Sequence, residues 1–342
     1  MSFEQSLTKS WYRKCGWTWG LTPFLLLTAP VVHAKRKAFL KHRDTASYRS
    51  KLPVIVVGNI TVGGTGKSPM VIALCSYLKE QGYRPGIVTR GHKRELDTAL
   101  LVTPQSTASE VGDEPLMLAR RTGCPVSVAN KRVLAIRALE NDSDVDVIIS
   151  DDGMQHYAMD RDIEIIMVDA KRGLGNGQLL PVGPLREPVS RIDAADCVFS
   201  LNALPALVTK QPMFTGTMEL TQLKHVIDDR QQVLSALAHD GWHVVAGVGN
   251  PERFMETLKE QGLPDQSHTT FFSDHHQFKR DDIAGFEKVI MTEKDAVKVE
   301  AFAQSQDDWW YVVAELSLPE NFKQFVLGRL AQVTELKSLR YE

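Results

Sequence analysis

Cysteine is scarce in this 342-residue chain. The four present, Cys15, Cys75, Cys124 and Cys197, share no C-x-x-C spacing. That argues against a disulfide framework or a zinc site and suits a reducing compartment. An excess of one charge is lacking too, with 40 Lys and Arg against 42 Asp and Glu. Without a dominant basic surface the chain has no general means of holding nucleic acid. No internal repeat, low-complexity tract or obligatory protein partner is evident. A transmembrane helix needs about 20 consistently apolar residues, and no such run exists. The one long stretch free of formal charge, Cys15 to Ala34, is broken by Gly16, Gly20, three threonines, Pro23 and Pro30.

That N-terminal stretch instead has aromatic residues and a basic border. Trp11, Tyr12, Trp17 and Trp19 are side chains that favour the headgroup boundary. Lys35-Arg36-Lys37 and Lys41-His42-Arg43 would attract anionic lipid at about 1 kcal/mol per basic residue. An amphipathic or hairpin-like element lying on a membrane fits this pattern best. A cleaved signal peptide and a first buried helix of the core are the alternatives, and the sequence leaves open whether residues 15–34 insert or pack.

Length allows about two domains, each with its own core. Beyond residue 50, short β-rich runs alternate with helix-compatible stretches, as in βαβ units with a mostly parallel sheet. Strands are expected at Val54–Val57, Gly86–Thr89, Val126–Val128, Val145–Ser150, Ile163–Val168 and Asp196–Leu201. Helices are expected at Met70–Gln81, Glu114–Thr122 and Lys131–Glu140. The polar stretch Thr209–Leu223 reads as the exit from this unit. A second α/β unit follows, with strands at His243–Val248, Thr269–Phe272, Val289–Met291 and Trp310–Val313. The expected organisation is therefore a membrane-associating segment (1–50), a nucleotide-binding core (51–215) and a smaller C-terminal α/β domain (216–342) closing over the site.

The apolar run Val54–Val57 enters a glycine-rich turn that closes on Gly66-Lys67-Ser68, just before a helix. Strand, loop and helix in that order make a phosphate cradle. Glycines let backbone N–H groups converge on phosphate oxygens, and the helix N-terminus adds its dipole. Lys67 can reach the β- and γ-phosphates and the Ser68 hydroxyl can join Mg²⁺. The strict pattern G-x-x-x-x-G-K-[ST] wants glycine at position 61, which holds Thr61. Gly63, Gly64, Thr65 and Gly66 instead give a variant G-G-x-G-K-[ST] P-loop.

Asp151 and Asp152 follow the strand ending at Ser150, where P-loop enzymes hold Mg²⁺. Adjacent side chains alternate along a strand, so both can reach one site only where the strand breaks. Asp113 and Glu114 precede a helix: Asp113 reads as an N-cap or as a general base for an incoming hydroxyl. Ser273-Asp-His-His276 offers a carboxylate-oriented imidazole; a metal site there fails for want of further ligands. The long loop Gly173–Glu187 ends in an Arg-Glu pair, and Arg186 can hold phosphate bidentately. Met291-Thr-Glu-Lys-Asp295 loosely matches base-reading motifs, and a solvated charged turn is the competing reading.

In order along the chain, Gly58-Asn59 with Gly63–Pro69, Arg90-Gly91, Gly112-Asp-Glu-Pro115, Asp151-Asp-Gly-Met-Gln-His156, Gly183-Pro-Leu-Arg-Glu187, Asp274-His275 and Thr292–Asp295 resemble the tetraacyldisaccharide 4′-kinase (lipid A 4′-kinase) family of P-loop kinases. The resemblance implies a P-loop NTPase-like, mostly parallel α/β sheet. It also implies ATP- and Mg²⁺-dependent phosphorylation of the 4′-hydroxyl of a tetraacylated glucosamine disaccharide 1-phosphate, by a peripheral enzyme on the cytoplasmic face of the bacterial inner membrane. By similarity Asp113 is the catalytic base and His275 its partner. Lys67 and Ser68 hold phosphate and metal; Asp151 and Asp152, with Gln155 and Glu187, form the metal environment; Arg132 and Arg186 contact phosphate. A membrane-associated regulatory ATPase or GTPase is the alternative, and a non-enzymatic membrane-associated binding protein a second one.

Overall fold

The computed structural model describes residues 3–91, 98–239, 241–274 and 276–341. In chain order the elements begin with α1 (Phe3–Trp11), α2 (Leu25–Ala46), β1 (Val54–Gly58), α3 (Lys67–Glu80), β2 (Pro85–Thr89) and β3 (Leu100–Leu101). Next come α4 (Ala108–Val111), α5 (Asp113–Thr122), β4 (Val126–Val128), α6 (Arg132–Asp142), β5 (Val147–Asp151), β6 (Ile163–Val168), β7 (Cys197–Leu201) and β8 (Met213–His225). The chain closes with β9 (Gln231–Gln232), β10 (Trp242–Ala246), α7 (Pro251–Glu260), β11 (His268–Phe271), β12 (Lys288–Thr292), α8 (Glu293–Val299), β13 (Asp308–Ser317) and α9 (Glu320–Tyr341).

Every strand expected from the β-rich runs is present, and the sheet is mostly parallel as anticipated. Its order is β11-β10-β12-β13-β8-β7-β6-β1-β5-β2-β4-β3, with β9 on β8. β1 lies between β6 and β5, parallel to both. Its run of β-branched residues is buried on both faces, as a central parallel strand requires. Ile55 and Val57 pack with α3, α5 and α9, while Val54 and Val56 pack with α6.

The stretch 209–223, expected as a domain exit, is largely strand. β8 runs parallel to β7 through residues 213–216 and antiparallel to β13 beyond them. One strand therefore belongs to both lobes, and the expected boundary at 215/216 falls inside it. α9 then returns to the N-terminal lobe: Phe322 packs edge-on against Phe199 and Phe214, and Lys337 donates to the carbonyls of Ser50 and Leu52.

The N-terminal segment both packs and exposes. Leu25, Ala29 and Val32 of α2 lean on the core, while Phe24, Leu26, Leu27 and Val31 face outward, with Leu26 79% exposed. Trp17 and Trp19 are exposed, but Trp11 is buried and its indole donates to the Pro181 carbonyl at 3.0 Å. Among the described residues no helix is long and apolar enough to cross a membrane.

Candidate active site

Because β6, β1 and β5 are adjacent and parallel, their carboxyl ends deliver three loops to one edge of the sheet. The first is the P-loop after β1. Gly66 caps α3 with φ +88°, a left-handed conformation that favours glycine, and a Cβ there would also press on the end of the Leu201 side chain at 2.4 Å. Thr61, the departure from the strict pattern, is buried where the loop is stitched to the 183–187 segment. Val62 N–H donates to the Pro184 carbonyl at 2.8 Å and Arg186 N–H to the Ile60 carbonyl at 2.7 Å. A residue held as extended backbone in such a bridge has no need of glycine's freedom.

The second loop follows β5. Asp151 ends the strand and Asp152 adopts φ +49°, a costly conformation for a non-glycine residue. That turn is the strand break that brings the two neighbouring carboxylates to one site. Lys67 Nζ lies 3.8 Å from Asp152 Oδ1, and Arg186 lies 3.3 Å from Asp152 Oδ2. These cations hold Asp152 below the usual carboxylate range against the opposing effect of burial. Asp151 is pushed up to about 7 by burial first, with Glu114 and Asp152 adding to it. Arg132, at the start of α6, donates to the Asp151 carbonyl at 2.8 Å.

Among the described residues, several buried polar atoms here have no hydrogen-bond partner: Thr65 Oγ1, Asp151 Oδ1, Asp152 Oδ1, and Nε and Nη1 of Arg132. Orphaned groups of both signs are costly unless a ligand meets them. Unpartnered guanidinium nitrogens beside a glycine-rich loop fit phosphate oxygens; two hard carboxylate oxygens fit Mg²⁺, which takes few protein ligands and fills its shell with phosphate and water. Ser68 lies on the first turn of α3, at the same edge.

Gln155 and Glu187 form a separate pair. Gln155 Nε2 donates to Glu187 Oε1 at 2.9 Å and to the Asn59 carbonyl at 3.2 Å. Glu187 Oε2 meets Arg191 at 3.3 Å, Arg36 at 3.6 Å and the Tyr157 hydroxyl. The carboxylate is thus engaged from behind the loop.

Asp113 is the first residue of α5. Gly112 (φ +98°) caps that helix, so N-capping does not explain Asp113. The carboxylate is buried and faces α8 of the other lobe, 3.8 Å from Lys298 Nζ. Lys298 also pairs with Asp295 at 2.7 Å, and Asp295 accepts from the Gly247 N–H at 2.9 Å. Lys294 bridges Glu114 (3.0 Å) and Asp274 (3.4 Å). Burial opposes its charge, but Glu114, Asp274 and Asp113 outweigh that and hold it firmly protonated. The Thr292–Asp295 segment is therefore no solvated turn: Asp295 is fully buried. Sequence reasoning held Lys294 only as part of its motif and missed Lys298, because their value comes from packing α8 on α5. His275 lies outside the described residues; His276 pairs with Asp282 and stacks on Phe272.

Between the lobes lie two cavities of about 600 and 620 Å³ that share Arg172, Asn250 and Glu252. The second reaches Thr65 of the P-loop and Asp169, which follows β6, the third strand of the site edge. A third, apolar groove of about 360 Å³ runs between α2 and the 179–185 loop, lined by Leu27, Val31, Val32, Leu179 and Leu185, and includes Arg186.

The family model for "Tetraacyldisaccharide-1-P 4′-kinase" matches residues 17–331. Tetraacyldisaccharide 4′-kinase of Aeromonas hydrophila is 42% identical over 334 residues, covering 95% of this chain and 96% of the relative. The Aeromonas salmonicida protein of the same name is 41% identical, covering 97% and 98%. The crystal structure of LpxK from Aquifex aeolicus in complex with ATP superposes with a TM-score of 0.76 at 26% identity, covering 92% of this chain and 99% of that one. With a P-loop, an acidic strand end and a base candidate on one cleft, and this likeness along its length, the chain belongs to the tetraacyldisaccharide 4′-kinase family.

Proposed function

We propose that the chain transfers the γ-phosphoryl group of ATP to the 4′-hydroxyl of a tetraacylated glucosamine disaccharide 1-phosphate. The observation that carries this reading is the cluster of orphaned buried groups, acidic and basic together, at the end of β5 and beside Lys67. Phosphoryl transfer asks for positioning and charge neutralisation more than for covalent chemistry. Gly63, Gly64, Thr65 and Gly66 cradle the phosphates with their N–H groups. Lys67, Arg132 and Arg186 supply positive charge to the β- and γ-phosphate oxygens. Asp151, Asp152 and the Ser68 hydroxyl are the ligands for Mg²⁺, with Gln155 and Glu187 holding the surrounding loop. When bound, Mg²⁺ neutralises charge that develops on the transferring phosphoryl group. Asp113 takes the proton of the acceptor hydroxyl, with His275 as its partner, and Lys298 faces that carboxylate from across the cleft. Asp113 shares the N-terminal lobe with the phosphate cradle, so closure of the two lobes would bring Lys294 and Lys298 of α8 closer to that edge and shut the acceptor in against it.

The acceptor carries acyl chains, and α2 offers what such a molecule needs. Its apolar outer side suits the cytoplasmic surface of the inner membrane, and the groove beside Leu27 and Val31 runs from that side toward Arg186. An acyl chain in the groove would bring its sugar to the phosphate site.

Transfer of labelled γ-phosphate to the disaccharide acceptor in detergent micelles tests the reading. The wild type should form product, and Lys67→Ala should form it about 10²–10³-fold more slowly. ATP hydrolysis that proceeds equally without acceptor and gives no phosphorylated lipid would favour a regulatory ATPase instead.

A further inference from the structure

The inward face of α2 continues past its apolar residues to Arg36 and Phe39, and both lead to the active site. Lys35, Lys37 and Lys41 face solvent, whereas the Arg36 side chain is only 16% exposed and lies 3.6 Å from Glu187 Oε2. An arginine serving as a lipid anchor would turn outward with the lysines. Phe39 stacks on Tyr157 with ring centres 4.8 Å apart, and the Tyr157 hydroxyl donates to that same Oε2. The other oxygen of Glu187 accepts from Gln155, whose nitrogen also reaches the Asn59 carbonyl. The Asn59 side chain donates to the Gly63 carbonyl at 3.2 Å and accepts from Lys67 Nζ at 3.3 Å. The contacts run unbroken from the helix with the exposed apolar side to the P-loop lysine.

From this chain we infer that α2 is a working part of the active site and that Arg36 and Tyr157 are positioning residues for the phosphate cradle. Glu187 also touches Arg191, but Arg191 is shared with Glu164. Without Arg36, Glu187 keeps of these two cations only Arg191 Nε, on a guanidinium whose other end is held by Glu164. Its carboxylate, and Gln155 with it, then shifts beneath Asn59 and Lys67. The helix that meets the lipid surface in this way also sets the geometry at the nucleotide. The inference rests on the kinase reading above.

Arg36→Met and Tyr157→Phe in the full chain separate this role from lipid anchoring. Measured are kcat and acceptor KM for phosphoryl transfer in micelles, the Mg²⁺ concentration giving half-maximal rate, and partition onto phosphatidylethanolamine–phosphatidylglycerol vesicles. We expect each variant to lose about tenfold in kcat, the range seen when groups supporting a ligand shell are removed, and to need more Mg²⁺. Acceptor KM and vesicle partition should stay within twofold of wild type, and Arg36→Lys should recover part of the rate. Full kcat in Arg36→Met, or a loss confined to vesicle partition and acceptor KM, would overturn the inference. Tyr157→Phe removes a single hydroxyl, so it keeps the test decisive should Arg36→Met fold poorly. A wild type that forms no product would count against the kinase reading and not against this chain of contacts.

Discussion

Asp151 shows how one residue carries an unfavourable energy for the sake of a site. The residue is 3% exposed and, among the described residues, one carboxylate oxygen has no hydrogen-bond partner. Removing such a charge from water is costly unless a partner compensates. In metal-free protein, Asp151→Asn should therefore raise the melting temperature while losing transfer activity. A gain of about 1 kcal/mol would shift the midpoint by roughly 2 °C in a chain of this size. The sign follows from linkage. With its folded pKa raised to about 7, the aspartate binds a proton more tightly in the folded chain than in the unfolded one. Stability from this group is present at low pH and is lost as pH rises through 7. The midpoint difference, read by calorimetry in EDTA, should be largest at pH 8 and shrink at pH 5; a lower midpoint for the variant at pH 8 would contradict this account. The sequence made this pair legible because two adjacent aspartates after an apolar run need a strand break, and the φ of +49° at Asp152 is that break. Lys298 was not legible, since a lysine one turn into a short helix looks solvated until α5 packs over it.

At the scale of elements, α2 shows why the N-terminal segment was ambiguous in the sequence. Its first half carries apolar residues on both sides, Leu25, Ala29 and Val32 inward and Leu26, Leu27 and Val31 outward. Hydropathy cannot say which side meets the core, and the packing answers that Leu25, Ala29 and Val32 do while Leu26, Leu27 and Val31 stay exposed. Fully burying one such side chain is worth about 1.5–3 kcal/mol. Replacing Leu26, Leu27 and Val31 together by Gln should therefore release the protein from vesicles in a flotation assay. The thermal midpoint should hardly move, because these side chains already face solvent. Unchanged flotation would mean that other elements hold the membrane. β8 and α9 were less legible for a related reason. The alternation along Met213–His225 is that of a half-exposed strand, buried and exposed by turns, and resembles a polar linker. α9 spaces its core residues Phe322, Val326, Leu330 and Val333 among polar ones, and nothing local says that it returns to the first lobe.

Over the whole molecule the two lobes share one sheet through β8 and face each other across a cleft. Ion pairs span it: Lys294 with Glu114, Arg121 with Glu293, Arg253 with Asp169. The N-terminal lobe supplies the phosphate cradle and Asp113, and the C-terminal lobe supplies the lysines that face Asp113. Neither lobe alone assembles the constellation, which is why motifs scattered from residue 58 to residue 298 converge on one cleft. We propose that Asp113 acts on the acceptor's proton and not on nucleotide binding. Asp113→Asn keeps the shape and removes the basicity, so γ-phosphoryl transfer to the disaccharide, measured beside the dissociation constant for Mg·ATP, tests the claim most directly. The transfer rate should fall about 10²–10⁴-fold with nucleotide affinity essentially unchanged. A variant that transfers at the wild-type rate, or loses activity only in step with lost ATP binding, would contradict it.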